Sequence, residues 1–224
     1  MKVLGIDEAG RGPVVGPLMI CGYLADESKV ERLKKLGVKD SKMLTPKKRK
    51  SMVSELKKIA DDYVVVKVSP REIDKLRNVS NLNKIEISRM QHIINLLNPD
   101  KIIIDSPEVN VKKFAEKIRG GLKNKKIDIV AENFDDKKYI HVGAASIIAK
   151  VHRDAEIEKL HKKYGFFGSG YTHDERTIAF LKDWINKNKE FPDFVRKSWI
   201  TAVLIKEARD QKNIGEFLNK ALST

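Results

Sequence analysis

The sequence predicts an α/β protein in which short buried strands alternate with amphipathic helices. Three observations indicate this class. Five apolar runs of strand length are separated by segments with helical periodicity. The first two runs are close enough along the chain to pair as a hairpin. A helix-length segment precedes the fourth run, which is typical of a parallel crossover between strands of one sheet.

The predicted strands are short runs of apolar and often β-branched residues, a composition that suits a pleated, buried surface. The first run ends on two adjacent acids, and the fourth ends on the single acid Asp105. The five strands are predicted at Val3–Ile6, Val14–Ala25, Tyr63–Val68, Lys101–Asp105 and Ile127–Ala131.

The predicted helices combine apolar residues at three- and four-residue spacing with recognisable ends. Thr45 is a good N-cap and Pro46 suits the first helical position, where its missing N–H costs nothing. Gly37 and the pair Gly120-Gly121 end helices. Helices are predicted at Lys29–Leu36, from Pro46, from Ser69, at Leu82–Leu97, Val111–Lys117 and Gly143–Tyr164, after Asp174, and at Pro192–Ala208.

Charge favours a polyanionic partner, most simply nucleic acid. The 224 residues include 45 Lys and Arg against 31 Asp and Glu, which gives a formal net charge of +14. A generally basic surface is the alternative. The single cysteine, Cys21, excludes an intrachain disulfide and is expected to be buried. The N-terminus lacks a signal-peptide pattern, and the longest apolar run is too short to cross a membrane, so we expect a cytoplasmic protein.

Acidic side chains follow three of the predicted strands. Asp7 and Glu8 follow the first, Asp105 ends the fourth, and Asp135-Asp136 come soon after the fifth. The carboxyl ends of parallel strands meet at one sheet edge, so Asp7 and Asp105 should lie together. Neighbouring strand residues point to opposite faces, but the glycines after Glu8 would let a turn bring both acids to one point. Solvated acids in a surface turn are the alternative.

Such a group of carboxylates suits two Mg²⁺ or Mn²⁺ ions, because hard cations prefer oxygen ligands. The sequence has no His or Cys cluster with zinc spacing. Together with the basic charge, this indicates metal-dependent hydrolysis of a phosphodiester. A glycosidase would also use paired carboxylates, but a neutral sugar does not explain the charge. Gly10, Gly12 and Gly16 lack the spacing of a dinucleotide-binding loop.

Two further segments are candidates for phosphate contact. Ser146, Lys150 and Arg153 lie on one face of the helix predicted after Gly143, which is either a phosphate-facing edge or a solvated face. Lys42, in the sequence Asp-Ser-Lys, is either a phosphate contact or part of a charged turn.

Several motifs, in this order over residues 1 to about 200, closely resemble the ribonuclease HII family (type 2 ribonuclease H) of archaea. They are Gly5-Ile6-Asp7-Glu8-Ala9-Gly10-Arg11-Gly12-Pro13, Asp40-Ser41-Lys42, Ala144-Ala145-Ser146-Ile147 with Ala149-Lys150, Arg153-Asp154, and Gly168-Ser169-Gly170-Tyr171. The resemblance implies a ribonuclease H-like fold with a mixed five-stranded sheet flanked by helices. It implies a catalytic domain at residues 1–170, a helical appendage at 171–209 and an exposed tail at 210–224.

The resemblance also implies a hydrolase, an endonuclease that cuts RNA in RNA/DNA hybrids. It implies cutting 5′ to single ribonucleotides in duplex DNA, leaving 5′-phosphate and 3′-hydroxyl ends, with two divalent ions. The implied catalytic, metal-binding residues are Asp7, Glu8, Asp105 and Asp136. Asp136 lies eight residues before Ala144, as the family acid does. The sequence around it departs from the family's Glu-His-Lys-Ala-Asp, so Asp135 stays an alternative.

For substrate binding, the resemblance implies Gly10, Arg11, Gly12 and Tyr171 as the ribonucleotide-recognising group, with Lys42, Ser146 and Lys150 as further contacts. The 2′-hydroxyl distinguishes RNA from DNA, and a tyrosine can hydrogen-bond it and stack on the sugar or base. Thr172-His173 replace the family's Pro-Ser after Tyr171. A purely structural tyrosine is the alternative.

The tail contains a sequence similar to the peptide that docks on the replication sliding clamp. Its positions are Gln211, Ile214, Phe217 and Leu218, with Leu218 where a second aromatic is common. A short helix folded onto the protein's own surface is the alternative. We expect a monomer. A non-catalytic nucleic-acid-binding protein and a junction-resolvase-like nuclease are the competing functions. The set of acids disfavours the first, and Tyr171 with the Gly10–Gly12 loop disfavours the second.

Overall fold

The computed structural model describes residues 1–38, 44–133 and 139–222, with side chains described up to residue 212. It contains one five-stranded sheet with the order β3-β2-β1-β4-β5. The pairs β1–β2 and β2–β3 are antiparallel, whereas β1–β4 and β4–β5 are parallel, so the sheet is mixed as predicted. The strands are β1 Lys2–Ala9, β2 Leu18–Asp26, β3 Asp62–Val68, β4 Lys101–Asp105 and β5 Asp128–Glu132.

Helix caps agree with the sequence patterns. The Thr45 hydroxyl accepts the backbone N–H of Lys48, and the Ser69 hydroxyl accepts that of Glu72. In the described part of the chain, the α-helices are α1 Val30–Lys35, α2 Pro46–Ile59, α3 Pro70–Arg77, α4 Leu82–Leu97, α5 Val111–Gly120, α6 Ile140–Tyr164, α7 Glu175–Lys187 and α8 Ile200–Leu222. None of the described helices is long and apolar enough to cross a membrane.

The chain divides into two compact units. The first contains Met1–Arg11, Leu18–Val68 and Ser80–Ala155, and therefore the whole sheet. The second contains Gly12–Pro17, Ser69–Val79 and Glu156–Thr224. The domain boundaries predicted after residues 170 and 209 stay predictions.

Strand β1 presents its two faces to different helices of the first unit. Odd positions face α6, and a Cβ added at Gly5 would lie 2.2 Å from the backbone carbonyl carbon of His141. Even positions face α4, where Leu4 and Ile93 pack around Gly22. The absence of a side chain at Gly5 therefore lets the start of α6 approach the sheet.

The largest errors in the predicted element boundaries concern β2, β1 and the last helix. β2 begins at Leu18 rather than Val14, because Val15 forms an isolated bridge with Val195 instead of pairing within the sheet. β1 does not end at Ile6 but continues through Asp7 and Glu8, because these residues pair in register with Cys21 and Ile20 of β2. The expected turn directly after Glu8 is therefore absent. The last helix begins at Ile200 rather than Pro192 and runs past Ala208 to Leu222. The Val15–Val195 bridge and the turn after it delay the start, and good helix formers after Ala208 favour continuation.

Candidate active site

Asp7 lies near the carboxyl end of β1 on the face that packs against α6. Its side chain is 7% exposed, and its Oδ1 accepts the backbone N–H of Glu8 over 2.7 Å. Burial raises the pKa of Asp7 to about 7. The adjacent Ser146 hydroxyl, the Glu8 N–H and the Lys150 charge oppose this rise, whereas the Asp105 charge adds to it. The site thus holds a carboxylate that strongly favours an added positive charge.

Glu8 points to the opposite face of β1, as strand alternation requires. Burial raises its pKa well above the ordinary value. The charges of Asp7, Glu86 and Asp105 also raise the pKa, whereas Arg11 lowers it. Within the described residues, Glu8 Oε2 is buried without a hydrogen-bond partner. A buried acceptor of this kind is costly unless a cation or donor satisfies it.

Asp105 ends β4, the parallel neighbour of β1. Ile6 pairs with Ile104, so the next residues, Asp7 and Asp105, reach the same edge of the sheet. The charge of Asp105 raises the pKa of both Asp7 and Glu8. The prediction that these acids share one edge is therefore confirmed, although they reach it from two strand faces rather than through a glycine turn.

Part of the predicted site falls outside the described residues. Asp135 and Asp136 do so, as do Lys42 and the side chains of the clamp-motif positions Ile214, Phe217 and Leu218. Among residues the structure does describe, no group of three His, Cys, Asp or Glu side chains has an arrangement ready to hold a metal ion. Gln211 is exposed on α8.

Arg11 is held by the first unit through a buried carboxylate. Its Nε lies 2.9 Å from Glu86 Oε1, and its Nη2 donates to Asn83 Oδ1 over 2.6 Å. Asn83 donates in turn to Glu108, which pairs with Lys117 at 2.7 Å. This chain of contacts connects the loop after β1 to helices α4 and α5.

The sequence analysis missed Glu86, which is 0% exposed. A signal for it exists: Glu86 lies four residues before Met90, on the buried face of α4 that continues with Ile93 and Leu97. A carboxylate at such an apolar-face position indicates a specific partner, because a buried charge is otherwise costly.

Ser146, Lys150 and Arg153 of α6 do not form a solvated helix face. Ser146 is 1% exposed and lies beside Asp7, and Arg153 is 8% exposed and lies near Asp154. Lys150 is half-buried, and its charge acts on Asp7. The substrate contacts predicted for Ser146 and Lys150 stay predictions.

In the second unit, Gly12 and Tyr171 are neighbours. A Cβ built at Gly12 would lie 3.8 Å from Tyr171 Cε1, an ordinary van der Waals distance. The backbone N–H groups of Val14 and Val15 both donate to the Gly170 carbonyl, at 2.9 and 3.1 Å. The Tyr171 ring also packs on His173, with 5.4 Å between ring centroids. The two loops that the resemblance assigned to ribonucleotide recognition are thus joined by their backbones.

The chain is similar to known proteins over almost its whole length. The family model for ribonuclease HII matches residues 4–202. The chain belongs to the ribonuclease HII family. Ribonuclease HII of Pyrococcus abyssi is 47% identical over 224 residues, which are 98% of this chain and 99% of the relative.

Solved structures agree with the family assignment. The crystal structure of ribonuclease H2 from Pyrococcus horikoshii is similar with a TM-score of 0.88 and 48% identity, covering 94% of this chain and 99% of that one. The ribonuclease HII of the PCNA:RNase HII complex from Archaeoglobus fulgidus matches with a TM-score of 0.81 and 41% identity, covering 89% and 95%. The chain is thus a metal-dependent nuclease of a family that hydrolyses RNA in RNA/DNA hybrids.

Proposed function

We propose that this member of the ribonuclease HII family cuts on the 5′ side of single ribonucleotides in duplex DNA as well as within RNA/DNA hybrids. The products would carry 5′-phosphate and 3′-hydroxyl ends. The supporting observation is the carboxylate edge, where the charge of Asp105 acts on both Asp7 and Glu8. The basic charge of +14 suits the polyanionic substrate.

The donor set fits divalent cations. All its atoms are carboxylate oxygens, the ligands that Mg²⁺ and Mn²⁺ prefer, and Glu8 Oε2 has no hydrogen-bond partner among the described residues. We propose that Asp7, Glu8, Asp105 and Asp136 hold two such ions, with Asp135 as the alternative for the fourth position. When bound, the ions supply an activated water and neutralise charge on the leaving oxygen.

The chain's own residues orient this chemistry. The Glu8 N–H donates to the Asp7 carboxylate. The adjacent Ser146 hydroxyl and the Lys150 charge both lower the pKa of Asp7. We propose that Lys150 and Lys42 also contact the phosphates of the substrate. These contacts position the strand without reading its sequence.

Recognition of the ribonucleotide is assigned to Gly10, Arg11, Gly12 and Tyr171. The 2′-hydroxyl both donates and accepts hydrogen bonds, so backbone groups and a phenol can read it together. The Tyr171 ring lies within van der Waals reach of a Cβ added at Gly12, which supports this pairing. In a duplex with one ribonucleotide, this group would have to detect a single oxygen atom.

We also propose that the C-terminal segment docks on a sliding clamp. The Archaeoglobus fulgidus relative is a partner of PCNA in a solved complex. Deleting residues 210–224 should abolish binding to the clamp and leave cutting of free hybrid unchanged. Unchanged clamp binding by the deletion variant would remove this proposal and favour a segment that folds on the protein's own surface.

The activity is tested with an end-labelled DNA duplex that contains one ribonucleotide, incubated with Mg²⁺ or with EDTA beside an all-DNA duplex. We expect one Mg²⁺-dependent cut directly 5′ to the ribonucleotide and no cut in the control. Cutting of a continuous hybrid without a cut at the single ribonucleotide would contradict the specificity. Binding without any cutting would contradict the enzymatic proposal.

A further inference from the structure

The carbonyl of Gly12 accepts a hydrogen bond from the indole of Trp199, a residue 187 positions away in the chain. The distance between Trp199 Nε1 and Gly12 O is 3.1 Å, and the bond is solvent-exposed. An exposed carbonyl can be satisfied by water, so the indole is not needed to avoid a burial penalty. What the indole adds is a fixed direction for the peptide group between Gly12 and Pro13.

The rest of the loop at residues 12–16 is held by the same part of the second unit, the turn at residues 194–199. Arg196 donates its backbone N–H to Val14 O over 2.8 Å and its Nε to Gly16 O over 3.0 Å. The backbone N–H of Gly16 donates to Phe194 O over 2.9 Å. On the other side, Gly170 accepts from the loop, so the backbone of residues 12–16 is fixed between the 194–199 turn and the residue before Tyr171.

The 194–199 turn buries a charged side chain and is held by several side-chain contacts. Arg196 is fully buried, and burying a guanidinium is unfavourable unless carbonyls and aromatic faces satisfy it. The guanidinium carbons of Arg196 and Arg77 each lie 4.7 Å from the centroid of the Trp199 ring. Asp74 of α3 also accepts the backbone N–H and the hydroxyl of Ser198. These contacts fix the position of the Trp199 indole.

We infer that Trp199 is a positioning residue for recognition of the 2′-hydroxyl. Its N–H orients the Gly12 peptide group beside Tyr171, and the buried Arg196 and the Arg77 side chain hold its ring in place. The inference rests on the proposed function, because it assigns Gly12 and Tyr171 to the ribonucleotide. It adds a residue outside the motifs by which the family was recognised.

The test is Trp199→Phe, which removes the N–H and keeps an aromatic ring. The matched control is Trp184→Phe, because Trp184 Nε1 donates to the Glu190 carbonyl at the same distance of 3.1 Å in the same unit. Single-turnover rates are measured on a duplex with one ribonucleotide and on a continuous hybrid, and thermal unfolding is followed for both variants. We expect cutting of the hybrid to depend less on the orientation of Gly12, because neighbouring nucleotides of the hybrid also carry 2′-hydroxyls.

We expect Trp199→Phe to slow cutting at the single ribonucleotide by about fivefold to tenfold relative to the hybrid, the effect of one lost hydrogen bond. Trp184→Phe should leave this ratio within about twofold of wild type. Its loss of thermal stability should be similar to that of Trp199→Phe. An unchanged ratio for Trp199→Phe, or an equal change in both variants, would overturn the inference.

A second variant and the wild-type measurement distinguish failure of this inference from failure of the proposed function. If Trp199→Phe does not fold, 3-benzothienylalanine at position 199 replaces the N–H by sulfur at nearly constant shape, and the same ratio is measured. A wild-type protein that fails to cut at a single ribonucleotide would overturn the proposed function and this inference with it. A wild-type cut that persists undiminished without the indole N–H would overturn only the inference.

Discussion

Arg11 Nε lies 2.9 Å from Oε1 of Glu86, a residue of α4 that is completely buried. Arg11 belongs to the loop that the resemblance assigns to the ribonucleotide, whereas the charge of Glu86 raises the pKa of Glu8. The pair therefore connects a candidate recognition residue to a candidate catalytic one. The Gly-Arg-Gly motif alone predicts neither the ion pair with Glu86 nor the effect of Glu86 on the pKa of Glu8.

Glu86→Gln should lower the free energy of unfolding by about 1 to 3 kcal/mol, because the Arg11 guanidinium loses its charged, buried acceptor. The Arg11 side chain is 37% exposed, so water can solvate its charge and limit the loss. Urea unfolding measures the change. Glu55→Gln, which removes an exposed ion pair to Lys58, is the control and should change stability by less than about 0.5 kcal/mol. Equal effects of the two substitutions would contradict a structural role for the Arg11–Glu86 pair.

The metal-free protein should lose stability as the pH rises. Asp7 has a pKa of about 7 when folded against an ordinary value of 3.8, so the folded state holds the proton more tightly. Its contribution is fully present below about pH 4 and is lost as the pH rises through 7, by up to about 4 kcal/mol. Urea unfolding in EDTA at pH 5 and pH 8 should show about 2 to 3 kcal/mol of this loss, because part of it has already occurred at pH 5. Asp7→Asn should reduce the loss, and Mn²⁺ should restore stability at pH 8.

An equal pH dependence in Asp7→Asn and wild type would show that Asp7 does not carry this effect.

Gly5→Ala should destabilise the protein by roughly 3 kcal/mol or more, because the new Cβ would meet the His141 carbonyl group and the Val142 nitrogen, which are backbone atoms. The same clash would displace the start of α6, the helix that carries Ser146 and Lys150. Gly120→Ala is the matched control, since no atom lies within 4 Å of its added Cβ. It should be neutral or slightly stabilising. A normal melting temperature for Gly5→Ala would contradict the close approach of α6 to β1.

Tyr171→Ala should reduce cutting at a single ribonucleotide by about tenfold or more, through loss of a hydrogen bond and of ring contact with the sugar. The rate on a continuous hybrid should fall less, because it offers many 2′-hydroxyls. Steady-state rates on both substrates measure the difference. His173→Ala removes only the ring that packs on Tyr171 and should have a smaller effect on the same ratio. An unchanged rate for Tyr171→Ala at the single ribonucleotide would contradict its role in recognition.

The sequence predicted those features that depend on local signals. The bounds of α4 and β4 were predicted correctly, because strong apolar periodicity and a flanking acid mark them. The shared edge of Asp7 and Asp105 followed from the parallel crossover, whose strands must end together.

Features set by partners distant in sequence were missed. Strand β1 extends over Asp7 and Glu8 because residues of β2 pair with them. The glycines after Glu8 instead predicted a turn at this point. The bond from Trp199 to Gly12 and the burial of Arg196 arise from tertiary packing, and no local pattern at positions 196–199 indicates them. Glu86 could have been found as a charged residue on an apolar helix face. Its ion pair with Arg11 could not, because the two residues are 75 positions apart in the chain.

Metal-dependent hydrolysis at the carboxylate edge is tested most directly by Asp7→Asn. Cutting and binding of an RNA/DNA hybrid are measured on one preparation, with Mg²⁺ for cutting and with a non-cleavable hybrid for affinity. We expect cutting to fall to the level of the EDTA control while hybrid affinity stays close to wild type, because binding depends on the basic surface. Retained cutting by Asp7→Asn would contradict the assignment of the catalytic centre to this edge.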